Sequence, residues 1–546
     1  MNARAPSPER PPLDPAAVLE SEDALRWLTG LVAAAPTNLE DPLHGRWEKP
    51  AYRTAADQIV RIAQRLGLAT RIYDPLVHDD ALAPALHGLP RPNVIVDLDA
   101  GAPRTLLILS HYDVVPVPRE QRSRWRSPPH TLTQREDGRL YGRGANDDLG
   151  SGVVTSLLAL GRLAERPRLD WNVRLIAACD EETGGEGGIE AIKAHDARLP
   201  PNDPNRFLRA DAAVIPDGGP EVIAGSSGLA FLEASFDGPS TLEQTVGLAE
   251  TLIGLHAVAR EYRSVYRSID WPDHGAPEPV ITGRATLTQF DLAMPSASES
   301  ACRIQLHAET DAGNQIPERV TLVFEGPSAK LAGLADELAK SVAPPFRLET
   351  SEIRTSLDID PKALAVQVVG RAAHGGYPHR GANPVPAAVA ALRSLLAAGR
   401  LGPADPASAT GVVDLRLPPE MELAPGLAPV LDRVEQWARA HAPAARVTAP
   451  PARSRSGYAI APDHPFVVRF AERMRASFGH AEIVGEYGGT DASALRDLRT
   501  PSGEPMPAVV FGSMDRSANI HDAEESVDPR LLAAVARTLE RLVASA

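Results

Sequence analysis

Four short apolar runs end in polar or charged residues: NVIVDLD (93–99), TLLILSH (105–111), NVRLIAACD (172–180) and AAVIPD (212–217). A helical pattern, SGVVTSLLALGRLAERP, separates the second from the third. Runs this short and this evenly apolar suit strands buried on both faces, as when helices cover both sides of a parallel sheet. The alternation predicts an α/β layer with a largely parallel central sheet. Open sheets of this kind place their chemistry beyond the carboxyl ends of the strands. The residues that close each run are therefore the first candidates for a site.

The chain has 546 residues, too many for one hydrophobic core, so more than one domain is expected. Residues 1–15 are rich in proline and charge and read as a disordered lead-in. Helical periodicity follows over about 17–35 and again over 52–66, where Gly67 is placed to cap. From about 236 the texture changes to amphipathic helices mixed with alternating strands, over two stretches of similar size, 236–345 and 350–450. After the loop APPARSRSGYAIAPDHP the α/β texture returns and runs to a terminal helix from about 528. The expected organisation is an α/β domain formed by 16–235 and 455–546. An α+β lid over 236–454 interrupts it, in two related halves.

The formal net charge of −15, with no basic run, argues against nucleic acid as a partner. Only Cys179 and Cys302 are present, which excludes a disulfide scaffold and favours a reducing compartment. The N-terminus has no apolar segment of the secretory kind, and no run reaches membrane-spanning length. These features predict a cytoplasmic protein with no membrane partner.

Acids and histidines gather where the strands end. His111 and Asp113 follow TLLIL, Glu181 and Glu182 follow VRLIAACD, and Asp217 closes AAVIPD. Asp147 and Asp148 sit in the loop GRGANDDLGSG just before a helix. Each has an ordinary explanation alone: a hydrogen-bonded histidine, an N-cap pair, solvated glutamates, a turn aspartate before two glycines. Four elements delivering them to one sheet edge is a different matter. Zinc takes nitrogen and oxygen ligands, about four per ion, and leaves a position for water in catalytic sites. Two ions about 3.5–4 Å apart share bridging ligands. Such a centre needs a second histidine, and His521 in ANIHDAEES, beyond the strand PAVVFG, is the best placed.

With those residues in view, the sequence resembles the di-zinc metallopeptidases that include aminoacylase, carboxypeptidase G, succinyl-diaminopimelate desuccinylase and bacterial dipeptidases. The segments that carry the resemblance are SHYDVVPVP, LYGRGANDDLGSG, CDEETGGEGG, VIPDGG, GRAAHGGYPHRGANPV, VVDLRL, GGTDASAL and IHDAEES, in family order over most of the chain. It implies a zinc-peptidase-like catalytic domain with a ferredoxin-like lid. His111 and Asp217 would hold one zinc, Glu182 and His521 the other, and Asp147 would bridge them, with cobalt or manganese as substitutes. Glu181 would be the general base, within about 3 Å of the attacking water but off the metal, and Asp113 would orient His111. A cis peptide would follow Asp147. In the lid, His374 would reach the oxyanion, Arg416 would grip the substrate carboxylate as a bidentate donor, and Asn314 in N-x-x-P would lie near the same carboxylate.

The spacing resembles the dipeptidase branch, in which a doubled lid imitates a partner subunit, so a monomer is expected to suffice, with a homodimer as the alternative. The substrate implied is a dipeptide, or an N-acyl amino acid in a deacylase. A non-catalytic binding relative would have lost a ligand or the base, and all are present. The glycine loops match no Walker or dinucleotide fingerprint. Two departures stand out: Leu149 where a lysine is common after the Asp-Asp pair, and H-D-A-E-E in place of H-S-P-x-E, with Glu525 kept. Gly-rich junctions near 224–228 and 456–458 suit hinges.

Overall fold

The computed structural model describes residues 14–37, 52–82, 86, 88–117, 119–201, 203–236, 238–270, 278–294, 303–308, 315–326, 331–353, 362–403, 406–450 and 454–544. The lead-in expected over 1–15 therefore lies almost wholly outside the described residues. The chain divides into two compact units, one formed by Met1–Ala224, Ala459–Val484 and Thr490–Ala546, the other by Gly225–Tyr458 and Gly485–Gly489. The first crossing, expected at 235/236, thus falls eleven residues earlier, at the glycine-serine stretch after Ala224. Five residues around Tyr487 also belong to the second unit.

In the first unit, strands Asn172–Ala178, Thr105–His111, Ala212–Ile215 and Ala508–Val510 run parallel side by side. Antiparallel strands flank them: Ala69–Tyr73 and Asn93–Leu98 on one side, Val222–Ser226 on the other. The sheet is therefore mixed rather than largely parallel, with its parallel strands at the centre. Three of the four apolar runs are central parallel strands, whereas NVIVDLD is the antiparallel neighbour Asn93–Leu98; Leu106, Leu107, Leu109, Leu175, Ile176, Val214 and Val509 are all fully buried. Each such burial stabilises by about 1.5–3 kcal/mol, and Leu107→Ala would cost about 2–5 kcal/mol by loss of contact and a residual cavity.

The helices follow local signals. Helix Pro529–Val543 starts with Pro529 at its first position, and the Asp528 side chain accepts the Arg530 N–H at 2.9 Å. Its stripe of Leu532, Val535, Leu539 and Leu542 is buried. The single helix expected over 17–35 is two, Pro15–Leu19 and Glu22–Ala34. Glu20 turns left-handed, and Ser21 caps the second helix by accepting the Ala24 N–H at 3.1 Å. That cap competes with helix continuation and wins.

The second unit carries a ten-stranded sheet whose two halves are nested, not consecutive. One half uses strands Gly228–Phe236, Arg284–Ala293, Pro406–Leu417 and Ala445–Thr448 with helices Leu242–Ala259 and Leu423–His441. This is the β-α-β-β-α-β order of a ferredoxin-like unit. The other half, Arg303–Ala308, Arg319–Gly326, Arg347–Ile353 and Lys362–Val369 with helices Leu334–Ser341 and Pro384–Ala397, is inserted between the second and third strands of the first. The division expected at 345/350 fails because Pro406–Leu417 pairs with strands well over a hundred residues earlier, Arg416 opposite Arg284 and Leu229. One hydrophobic core runs under both halves.

Candidate metal centre

Parallel strands deliver their carboxyl ends to one edge, and the site is assembled there. His111 ends its strand level with Ala178, and the Tyr112 N–H donates to the Ala178 carbonyl at 2.9 Å. The next strand's exit is a tight turn. Asp180 adopts φ 63°, and Glu181–Thr183 form a single 3-10 turn. Gly188 allows this turn to fold back, because a Cβ there would stand 1.8 Å from the Cys179 carbonyl oxygen. The buried side chain of Arg91 donates through Nε to Asp180 Oδ2. Burial pushes Asp180 up to about 6, with the Arg91 charge working against it.

Asp113 links the elements. Its Oδ1 lies 3.4 Å from His111 Nδ1 and accepts the Glu181 N–H at 3.1 Å. Its Oδ2 accepts the Glu182 N–H at 3.2 Å. The aspartate expected to orient His111 therefore also holds the backbone of both glutamates, a role that strand-end position alone does not reveal.

On the buried side, His111 Nε2 lies 3.4 Å from Asp148 Oδ1 and 3.8 Å from Asp217 Oδ2. The donor atoms of His111, Asp148 and Asp217 fall within 4.8 Å of one another. Burial alone would lower the His111 pKa, but Asp148, Asp113 and Asp217 outweigh it and hold the imidazole well above its usual range. Three carboxylates around one buried imidazole are a cation's surroundings, and nitrogen with oxygen donors suits a divalent metal. On the open side, His521 Nε2 is 2.8 Å from Glu182 Oε1, with the histidine side chain 47% exposed.

The side chain of Asp147 lies outside the described residues, and Asp148 is the member of the pair placed beside His111. The cis peptide expected after Asp147 is not found; among the described residues the cis bond is Pro344–Pro345. Residues Asp147–Val154 instead form a π-helical turn, in which Leu149 N–H reaches Gly144 O at 3.1 Å and Ser151 N–H reaches Asn146 O at 2.6 Å. Leu149 is fully buried against the turn, which accounts for an apolar residue where a lysine was expected.

The loop bearing His521 is unusual. Asn519, His521 and Glu524 have φ of 50°, 63° and 66°, a conformation costing about 1–2 kcal/mol per non-glycine residue. It is gripped by a network that the sequence did not suggest. Arg143 Nη1 donates to Glu525 Oε2 at 2.5 Å between side chains 0% and 1% exposed, and Asn146 Nδ2 donates to the Ser526 carbonyl at 2.9 Å.

The family described as Peptidase family M20/M25/M40 matches residues 107–545, a span containing His111, Asp113, Asp147, Asp148, Glu181, Glu182, Asp217 and His521. The chain belongs to this family. It is a metal-binding hydrolase of the peptidase class. Two relatives frame it. A cysteinylglycine-S-conjugate dipeptidase of Corynebacterium striatum is 26% identical over 88% of this chain and 86% of its own length. An uncharacterised metallohydrolase of Methanocaldococcus jannaschii is 29% identical over 36% of this chain, and the match spans about half (48%) of that relative's length. Among solved structures, the fold resembles the di-peptidase Dug1p of Saccharomyces cerevisiae, with TM-score 0.54 and 13% identity over 97% of both chains. It also resembles a metallo-carboxypeptidase of Sulfolobus solfataricus, with TM-score 0.52 and 14% identity over 95% and 98% of the chains.

In the second unit of the peptidase, Asn314 lies outside the described residues, as does the side chain of His374. The backbone of His374 pairs with Gln315, the residue after Asn314, so the two expected lid segments do run side by side. Arg416 lies in the strand Pro406–Leu417. It is buried, forks onto Asp414 at 2.7 and 3.0 Å, and donates its remaining nitrogen to the Tyr487 carbonyl at 3.1 Å. Two residues apart on a strand, Asp414 and Arg416 share a face, a pairing that the alternation in VVDLRL permits. Arg455, not singled out from the sequence, has a buried Nε without a hydrogen-bond partner among the described residues. Its guanidinium lies against Gly489, where a Cβ would stand 2.6 Å from Nη2.

Proposed function

We propose that the peptidase hydrolyses the amide bond of a dipeptide, or of a small peptide-like substrate with a free carboxylate, at a two-zinc centre. His111 and Asp217 would hold one ion, Glu182 and His521 the other, and the Asp147–Asp148 pair would supply a further carboxylate, the sequence pointing to Asp147. When bound, the metal pair acidifies a water and polarises the scissile carbonyl. Glu181 takes the proton from the attacking water and returns it to the leaving nitrogen. Asp113 holds the Glu181 turn and the His111 ring, so that base and ligands keep one geometry. The observation that carries this reading is the Asp113 carboxylate joined at once to His111 and to the backbone of both glutamates.

The remaining roles are part of the same proposal. His374 and Asn314 act on the oxyanion and the substrate carboxylate. The arginine that grips this carboxylate is Arg455 rather than Arg416, whose fork is already closed on Asp414. The nested, doubled sheet of the second unit supports a chain that acts as a monomer, and the paucity of cysteines supports a cytoplasmic setting. The dipeptidase of Corynebacterium striatum, matched over most of both chains, favours a dipeptide.

The test is release of amino acids from a panel of dipeptides and N-acyl amino acids by zinc-loaded protein, with Glu181→Ala alongside. Dipeptide cleavage that disappears in the variant supports the proposal. Cleavage confined to acyl amino acids moves the substrate to the deacylase class and leaves the mechanism standing. A zinc-loaded protein that cuts nothing in the panel sinks the substrate assignment.

A further inference from the structure

From Asn519 to Glu525 the His521 loop contains neither glycine nor proline, yet three of its residues are left-handed. Local preference does not hold such a shape, so neighbouring groups must. The segment from Gln121 to Arg143 supplies them. Arg135 closes its fork on Glu524, Nη2 donating to Oε1 at 2.9 Å and Nη1 to Oε2, while the Arg126 N–H adds a bond to Oε1 at 2.8 Å. Arg124 Nη2 reaches Asp522 Oδ2 at 2.9 Å. A second path runs from Glu525 through Arg143 to Gln121 Oε1 at 3.1 Å, and Gln121 Nε2 donates to the His521 carbonyl at 3.2 Å.

We propose that Arg135 and Gln121 are positioning residues for His521 and set how tightly the Glu182–His521 half of the centre holds its cation. Neither touches the imidazole. Arg135 fixes the left-handed residue three positions after His521, and Gln121 fixes the peptide plane that directly follows it. Together they determine where Nε2 points. A bidentate guanidinium suits this task because it sets an orientation as well as a charge. In H-D-A-E-E, Asp522 stands where H-S-P-x-E has serine and Glu524 fills its unrestricted position, and both carboxylates are held by arginines of the 121–143 segment. The inference rests on the proposed reading of His521 as a ligand.

Zinc titration of the full chain against a chromophoric chelator, with equilibrium dialysis for stoichiometry, tests it. In Arg135→Gln the second zinc equivalent should bind about 10–100-fold more weakly, the usual effect of losing a group that orients a ligand. The first equivalent should be unchanged. Gln121→Leu should act in the same direction, and Arg135→Lys should recover only part of the affinity. His521→Ala runs in parallel. If His521→Ala loses the second equivalent while Arg135→Gln and Gln121→Leu keep wild-type affinity, the positioning role is wrong and the ligand assignment stands. A lower melting temperature of the metal-free variants with unaltered zinc affinity overturns the proposal in the same way. Wild-type zinc binding by His521→Ala overturns the ligand assignment itself.

Discussion

Asp113 Oδ1 accepts the backbone N–H of Glu181 at 3.1 Å, and the same oxygen lies 3.4 Å from His111 Nδ1. One carboxylate, fully buried, thus ties the imidazole proposed as a metal ligand to the turn that carries the proposed general base. Asp113→Ala should lower kcat/KM by about 10–100-fold and weaken zinc binding. Asp113→Asn, which keeps one acceptor oxygen, should lose less. Kinetics alongside metal analysis would decide; equal losses in both variants would mean that charge, not the pair of hydrogen bonds, matters.

Neighbouring glutamates should fail in different ways. Glu181→Gln should reduce kcat by about 10²–10⁴-fold with both zinc equivalents retained. Glu182→Gln should lose the second equivalent. Metal content measured beside kcat separates the two, and a Glu181→Gln enzyme that loses zinc would show that Glu181 is a ligand.

Arg416 and Arg455 should separate in the same manner. The Arg416–Asp414 pair is buried, with side chains 3% and 0% exposed. Removing one partner of such a pair costs about 3–5 kcal/mol, so Arg416→Ala should appear as a loss of stability in denaturant unfolding. Arg455→Ala should instead raise KM for substrates with a free carboxylate and leave unfolding nearly unchanged. The opposite pattern would return the carboxylate to Arg416.

Burial, with the nearby Glu482 carboxylate, pushes Glu221 from 4.5 up to about 7. Between those values the folded chain keeps a proton that the unfolded chain releases, so stability falls as pH rises. The contribution is complete below the unfolded value and is lost as pH passes through about 7. Glu221→Gln should therefore add little stability near pH 5 and about 1–3 kcal/mol at pH 8. Melting temperatures at the two pH values test this, and a gain independent of pH would contradict it.

The strands were legible because burial on both faces leaves an unbroken apolar run; Thr105–His111 and Asn172–Ala178 lie where the sequence placed them. The meeting of His111, Glu182 and Asp217 was legible because parallel strands end at one edge, and these residues follow or close such strands. Helix breaks were less so. The stop at Glu20 depends on a serine cap whose signal is no stronger than the helical periodicity around it.

What the sequence determined by itself was therefore the local chemistry and its periodicity: α/β strands, the acids and histidines that end them, and the family motif order. Tertiary structure alone decided the partners. It gave Arg416 to Asp414, set Asp148 beside His111 through a π-helical turn, and clasped the His521 loop with arginines almost four hundred residues away in sequence. It also nested one half of the second unit inside the other. The reason is physical. Periodicity records which face of an element is buried, whereas an ion pair or a strand pairing depends on which distant segment fills the opposite side, and no local pattern encodes that choice.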